Sequence, residues 1–289
     1  MSVLRTSLLC LIFIAIDARA DIVLLDDAGR EIRLADIPAK IVSLAPHVTE
    51  LLFAAGASGQ VIGAVDFSDY PEQAKSITRV GSYNKFDVER IIALNPDLII
   101  AWKSGNPDSQ VNELIQLGFK VYFNEPRKLE DVAQSLRQLG QLLATETIAN
   151  PVAREYEQKL SELRIKYKDR SKVRVFYQVW KEPLFTVNGE HIISRVIELC
   201  GGINVFSELK VLAPNIDKES VIAENPDVII AGMNDTRLDW LSNWKQWTSI
   251  KAVKNNHLYS IDADLIVRHT PRILLGIEEM CIHLEKARG

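Results

Sequence analysis

Several signals of chemistry are missing from these 289 residues. No Gly-x-Gly-x-x-Gly follows a strand-like run, no Gly-x-Ser-x-Gly elbow occurs and there is no Walker loop, so the common signatures of dinucleotide enzymes, α/β-hydrolases and P-loop NTPases are absent. The formal charge is −4, with no support for nucleic-acid binding, which needs clustered Lys and Arg. The five histidines, His47, His191, His257, His269 and His283, are scattered without metal-ligand spacing. Cysteine is scarce: of three, Cys10 lies in the N-terminal apolar run, and the remaining pair, Cys200 and Cys281, lacks the close spacing of a redox motif. That apolar run, Leu8 to Ile16, is about half the ~20 residues that span a bilayer.

What is present begins with an export signal. Arg5 precedes the apolar run and Ala18-Arg-Ala20 ends it in a small-x-small pattern, so residues 1–20 read as a signal peptide cleaved after about Ala20. Leu8-Leu9 do not supply the small residues that a lipidated Cys10 would want before it. Loss of Arg5, Arg19 and Asp17 takes the charge from −4 to −5. Exported chains meet oxidising conditions, so Cys200 and Cys281 are expected to bridge, the alternative being two buried thiols.

One stretch occurs twice, 130 residues apart. Asp87 to Trp102 (DVERIIALNPDLIIAW) and Asp217 to Gly232 (DKESVIAENPDVIIAG) are identical at ten of sixteen positions. Each copy reads as an Asp-capped helix with an acidic residue in its first turn, a stop at Asn-Pro-Asp, and an apolar run that forms a strand buried on both faces of a parallel sheet. A unit repeated once at this distance is too sparse for a solenoid and fits two similar α/β lobes.

The rest of the chain fills in those lobes. Residues 22–34 read as a β-hairpin. Ile41–Ala45, Val61–Val65 and Lys120–Phe123 read as strands, with helices over 46–56, 107–117 and 129–143. Asn150-Pro151 then opens a helix of about 18 residues, with Asn as cap, Pro at the first helical position and an apolar stripe of Val152, Tyr156, Leu160, Leu163 and Tyr167. At ~27 Å it reaches from lobe to lobe and makes a stiff connector, against large hinge opening. Val173–Val179 opens the second lobe, and Trp240, Trp244 and Trp247 fall on one face of a presumed helix as core. The division is a first lobe at 21–148, a connecting helix at 149–170 and a second lobe at 171–289. The fold class is α/β: two Rossmann-like lobes with mostly parallel sheets, loops gathered at the strand ends where such sheets bind ligands.

Ser68-Asp-Tyr-Pro71, the first repeat, Pro183-Leu-Phe-Thr186, Leu199-Cys-Gly-Gly202, and Asp264 followed by Arg268 and Pro271-Arg272 occur in an order that resembles one family. It is that of exported solute-binding proteins whose lobes are joined by one long helix and which serve ABC importers for metal chelates, in particular its cobalamin-binding members. The resemblance covers residues 22–286. It implies a monomeric periplasmic receptor, not an enzyme, that holds cobalamin (vitamin B12) or a related corrinoid in the interlobe cleft and docks on an importer's permease and ATPase complex, with no catalytic cofactor. Carried over residue by residue, Tyr70, Tyr83 and Trp102 line the cleft from the first lobe, and Phe185, Asp264 and Arg268 from the second. Aromatic area suits a flat macrocycle and polar groups suit its amides. Asp264 and Arg268 are either polar anchors for the ligand or an ion pair with each other. Glu89 and Glu219 match the family's pair of docking acids, one per lobe, although helix N-terminal glutamates are also favoured by the helix dipole. The chain departs from the family where tryptophans are replaced by Ala213, Leu265 and Tyr83. Haem or an iron-siderophore is the alternative ligand, and an exported α/β enzyme the alternative class.

Overall fold

The computed structural model describes residues 21–233 and 240–289; the expected leader, with Cys10, lies outside them. The first lobe opens with the expected hairpin, β1 (Ile22–Leu25) antiparallel to β2 (Glu31–Leu34). It continues through β3 (Ile41–Ser43), α1 (Pro46–Ala54), β4 (Val61–Ala64), β5 (Thr78–Arg79), a small antiparallel pair β6 (Gly81–Ser82) and β7 (Lys85–Phe86), α2 (Val88–Leu94), β8 (Leu98–Trp102), α3 (Asp108–Gln116), β9 (Val121–Asn124) and α4 (Asp131–Leu143). Five of these strands form a parallel sheet in the order β5-β4-β3-β8-β9. After the connecting helix α5 come β10 (Val173–Gln178), α6 (Ile192–Leu199), β11 (Gly202–Asn204), α7 (Lys218–Glu224), β12 (Val228–Gly232), α8 (Lys251–Lys254), β13 (Leu258–Ile261), α9 (Ala263–Val267) and α10 (Ile273–Arg288). Their sheet is parallel in the order β11-β10-β12-β13.

Both repeat copies fold as the sequence predicts. Asp87 and Asp217 cap α2 and α7 by accepting from the backbone N–H three residues on, at 3.0 and 2.7 Å. The pre-proline asparagines Asn95 and Asn225 leave the helical region for the left-handed one, at φ 47° and 43°, a conformation that asparagine tolerates better than most residues. The aspartate after each proline then ties the unit to its neighbour. Asp97 accepts from the N–H groups of Ala39 and Lys40, both at 2.9 Å, just before β3, and Asp227 accepts from Arg174 N in β10 at 3.0 Å. Each copy therefore fixes the register of an internal strand as well as supplying one.

The connecting helix starts earlier than the Asn-Pro signal implies. α5 runs Glu146–Tyr167, 22 residues, with Pro151 inside it. The cause lies in the preceding turn: Ala144 closes α4 in the left-handed region, and the Thr145 carbonyl accepts from Ile148 N and Ala149 N at 2.9 Å, nucleating a new helix at once. Pro151 then sits in the second turn, where its missing N–H forgoes one bond. The buried stripe keeps Tyr156, Leu160, Leu163 and Tyr167 but includes Ala149 and Ala153, while Val152 is half-buried. Through this stripe one apolar core runs uninterrupted from β3 and β8, across α4 and α5, to β10, α6 and α10.

The tryptophan cluster is also built differently. Trp244 and Trp240 are buried, but at the end of a single 3₁₀ turn, Leu241–Trp244, and at the residue just before it, not on an α-helical face. Trp244 packs edge-on against Phe176 at 5.6 Å and donates its indole N–H to Gln178 at 2.8 Å; Trp247 is half-buried.

Cys200, closing α6, and Cys281, inside α10, form a disulfide across 81 residues of chain. Closing such a loop restricts the unfolded chain by about 4.5 kcal/mol. The Cys200→Ala/Cys281→Ala variant is expected to lose up to about that much in urea unfolding. An unchanged urea midpoint would contradict this role for the bridge.

Candidate ligand cleft

The side chains that meet across the two lobes all lie just beyond the carboxyl ends of parallel strands. From the first lobe come His47 and Glu50 in α1, which follows β3, and Asp69, which follows β4; from the second come residues 268–272, which follow β13 and α9. The strand ends of both sheets thus face one another, with these contacts as the floor between them.

Glu50 is the hub of that floor. Its side chain is 2% exposed. One oxygen accepts from Arg268 Nη1 and Arg272 Nη2, both at 2.7 Å, and the other from Arg272 Nε at 2.9 Å and Thr270 Oγ1 at 3.1 Å. Arg268, 7% exposed, also reaches Asp69 at 3.1 Å and Asp264 at 2.6 Å. Burial works against the Arg268 charge, but the Glu50 and Asp264 carboxylates outweigh it and raise its pKa. Burial likewise raises the Asp264 pKa, with Asp69 and Asp262 adding to it and Arg268 opposing. Of the two readings of Asp264 and Arg268, the ion pair is formed, and it is one link of an interlobe network. Glu50 and Arg272 were not among the expected site residues. A glutamate directly before the apolar run Leu51–Phe53 was the available signal, but its partners are more than 200 residues away.

The expected first-lobe aromatics divide into two groups. Trp102, the last residue of β8, and Tyr83, in the β6–β7 turn, come together with ring centroids 5.9 Å apart. Asn106, 7% exposed and without a sequence signal of its own, holds the backbone of this pair. Its Oδ1 accepts from Trp102 N at 2.6 Å, and its Nδ2 donates to the carbonyls of Tyr83 at 2.7 Å and Leu44 at 2.8 Å. Gly105 lies directly under the Trp102 indole; a Cβ there would stand 1.9 Å from the ring. Tyr70 is placed apart from the pair, its ring under the Arg272 guanidinium at 3.7 Å. It borders a groove of about 1140 Å³ that runs from the interlobe floor at Glu50, Pro271 and Arg272 along the first lobe past Phe53 and Ile62 to Val152 of α5, and includes neither Trp102 nor Phe185. Volume and aromatic geometry therefore point to different places. Trp102 and Tyr83 are the candidate site: they stand at a strand end beside His47, which faces His269 of the second lobe.

On the second lobe, Phe185 is half-buried in the loop after β10, Ala213 is exposed and Leu265 partly so. Glu89 and Glu219 are both exposed in the first turns of α2 and α7, remote from the floor in sequence and equivalent to each other within the repeat.

Two histidines that look scattered in sequence face each other here. His47 touches Trp102 edge-on at 5.3 Å and His269 of the other lobe at 6.3 Å, and its Nε2 is buried without a partner. Burial, aided by His269 and Arg268, holds the His47 pKa down to about 3; burial and His191 hold that of His269 down to about 4; burial alone holds His191 at about 4. All three are neutral in the folded protein at pH 5, whereas unfolding frees them to bind protons near 6.5. Stability should therefore be lost as pH falls from about 6.5 toward 4, at up to ~1.4 kcal/mol per pH unit for each histidine. A urea midpoint lower at pH 5 than at pH 7, with a shallower pH dependence in His47→Gln, is the expected result. Removing Glu50 takes from the half-buried Arg272 its carboxylate and leaves the buried Arg268 only Asp69 and Asp264, so Glu50→Ala should cost up to ~3–5 kcal/mol in the same assay at pH 7.

A sequence profile described as periplasmic binding protein matches residues 41–265. A vitamin B12-binding protein from Vibrio parahaemolyticus is 38% identical over 250 residues, covering 86% of this chain and 90% of its own. Another, from Yersinia pseudotuberculosis, is 34% identical and covers 91% of both. The crystal structure of the periplasmic vitamin B12 binding protein BtuF of Vibrio cholerae superposes with a TM-score of 0.81 at 34% identity, covering 87% of this chain and 98% of that one. The periplasmic heme-binding protein RhuT from Roseiflexus sp. RS-1 superposes at 0.78 with 21% identity, over 86% and 99% of the two chains, a likeness of fold alone. With the profile spanning most of its length and relatives above 30% identity covering nine-tenths of theirs, the chain belongs to the periplasmic binding protein family.

Proposed function

We propose that this protein is a periplasmic receptor that captures cobalamin, or a related corrinoid, between its lobes and delivers it to an inner-membrane ABC importer. The observation that carries the reading is the Tyr83–Trp102 pair, held by Asn106 at the strand ends that face the second lobe. Two neighbouring aromatic side chains on a backbone held by one buried amide offer a flat macrocycle an apolar surface. Similarity to vitamin B12-binding proteins along nearly the whole chain supports the corrinoid over other chelates. Phe185 and Tyr70 extend the contact surface. Asp264, tied to Arg268, presents its partly exposed carboxylate toward the ligand's amides. Residues 1–20 serve as the export signal, removed after about Ala20.

Glu89 and Glu219 are the docking acids of this reading. One exposed carboxylate per lobe, at equivalent places in the repeat, suits a permease with twofold symmetry. Such rim charges set orientation and encounter rate more than ligand affinity.

Calorimetric titration of the mature protein with cyanocobalamin should saturate near one equivalent with sub-micromolar Kd, at least ~8 kcal/mol of binding free energy. Trp102→Ala should weaken it by about tenfold or more. Tight binding of haem in a parallel titration, with no heat from cyanocobalamin, would replace the corrinoid by haem on the same scaffold. Glu89→Lys/Glu219→Lys should abolish cobalamin uptake by cells with an unchanged calorimetric Kd. Normal uptake by that variant would remove the docking role.

A further inference from the structure

Trp180 is 54% exposed, yet its indole is held in place. Its ring meets Trp240 edge-on at 5.3 Å, and its N–H donates to the Glu182 carbonyl at 3.2 Å. Its backbone pairs antiparallel with Phe185, and Phe185 pairs in turn with Asn215. Residues directly opposite in an antiparallel ladder carry their side chains on the same face. Trp180, Phe185 and Asn215 therefore form one row across three short extended segments, just beyond the carboxyl end of β10 and so on the side of the second lobe that faces the first.

Ala213 belongs to the same ribbon. Bonds from Thr186 N to the Pro214 carbonyl and from Asn188 N to the Leu212 carbonyl set it opposite Val187, on the face shared with Phe185. It contributes only a methyl group there. The aromatic surface of this wall comes from Trp180 and Phe185, with the exposed Asn215 amide at the end of the row. A large exposed aromatic fixed on one edge and through its N–H is prepared for a partner that covers its open face, because little side-chain freedom is left to lose.

Resting on the corrinoid reading above, we infer that Trp180 is a ligand-contacting residue that, with Phe185, forms the second lobe's wall against the flat macrocycle and supplies the aromatic area that Ala213 does not. The wall is thus as aromatic as the Tyr83–Trp102 side, but its indole is presented from the neighbouring segment.

The test titrates wild type, Trp180→Ala, Trp180→Phe and Trp180→Ala/Ala213→Trp with cyanocobalamin and, separately, haem, following heat and tryptophan fluorescence. Trp180→Ala should weaken cyanocobalamin binding by about tenfold or more at unchanged stoichiometry, and Trp180→Phe by only about threefold. The double variant should regain most of the loss, since its indole returns to the same face. Trp180→Phe should also show less ligand-induced quenching than wild type, a readout that holds even if Trp180→Ala folds poorly. A wild type that binds cyanocobalamin, with Trp180→Ala unchanged in Kd and Trp180→Phe unchanged in quenching, overturns the role of Trp180 alone. Loss of affinity on Trp180→Ala for haem only would keep the macrocycle wall and remove the corrinoid. A wild type that binds neither overturns both.

Discussion

The arrangement of the two lobes depends on a carboxylate with almost no access to water. Glu50 belongs to the first lobe, and every hydrogen bond it accepts from a side chain comes from the second: Arg268, Thr270 and Arg272. Burying these charges is expensive, and a well-packed apolar floor would be as stable or more so. What the charged floor adds is direction. Two guanidinium groups on one carboxylate favour a narrow range of relative placements of α1 and the 268–272 segment, because hydrogen bonds of this kind are directional.

The two walls reach a similar end by different routes. On the first lobe Trp102 ends an internal strand with its indole on Gly105, and Asn106 ties the Trp102 backbone to those of Tyr83 and Leu44 at the end of β3. On the second lobe the Trp180–Phe185–Asn215 row is displayed on a ribbon of isolated bridges outside the sheet. The first lobe's aromatic pair is fixed by a buried amide, the second lobe's by another tryptophan.

Much of this was legible in the sequence because it is local. The hairpin, the capped helices, the buried strands after each Asn-Pro-Asp and the disulfide partners all follow from residues close together or from an elimination among few cysteines. The start of α5 departs from the strong local cue of Asn-Pro because the Thr145 carbonyl opens the helix one turn earlier. The tryptophans at 240, 244 and 247 have helical spacing, but a single 3₁₀ turn buries the first two just as well. The floor was hidden for a different reason. The meeting of His47 with His269, and of Glu50 with Arg268 and Arg272, joins residues about 220 apart with no local pattern at either end. Asn106 was missed because an asparagine beside a glycine and a proline reads as a turn.

The core that passes through α5 has a thermodynamic meaning of its own. Similar sequence units ordinarily suggest modules that fold separately, each with its own melting transition. Here the apolar faces of α4 and α5 are shared, so neither half could shed the other without exposing Tyr156, Leu160 and the residues packed on them to water. The chain repeats itself in sequence, and each half keeps a core of its own, but the largest core belongs to both halves at once, so that parting them would open it to water.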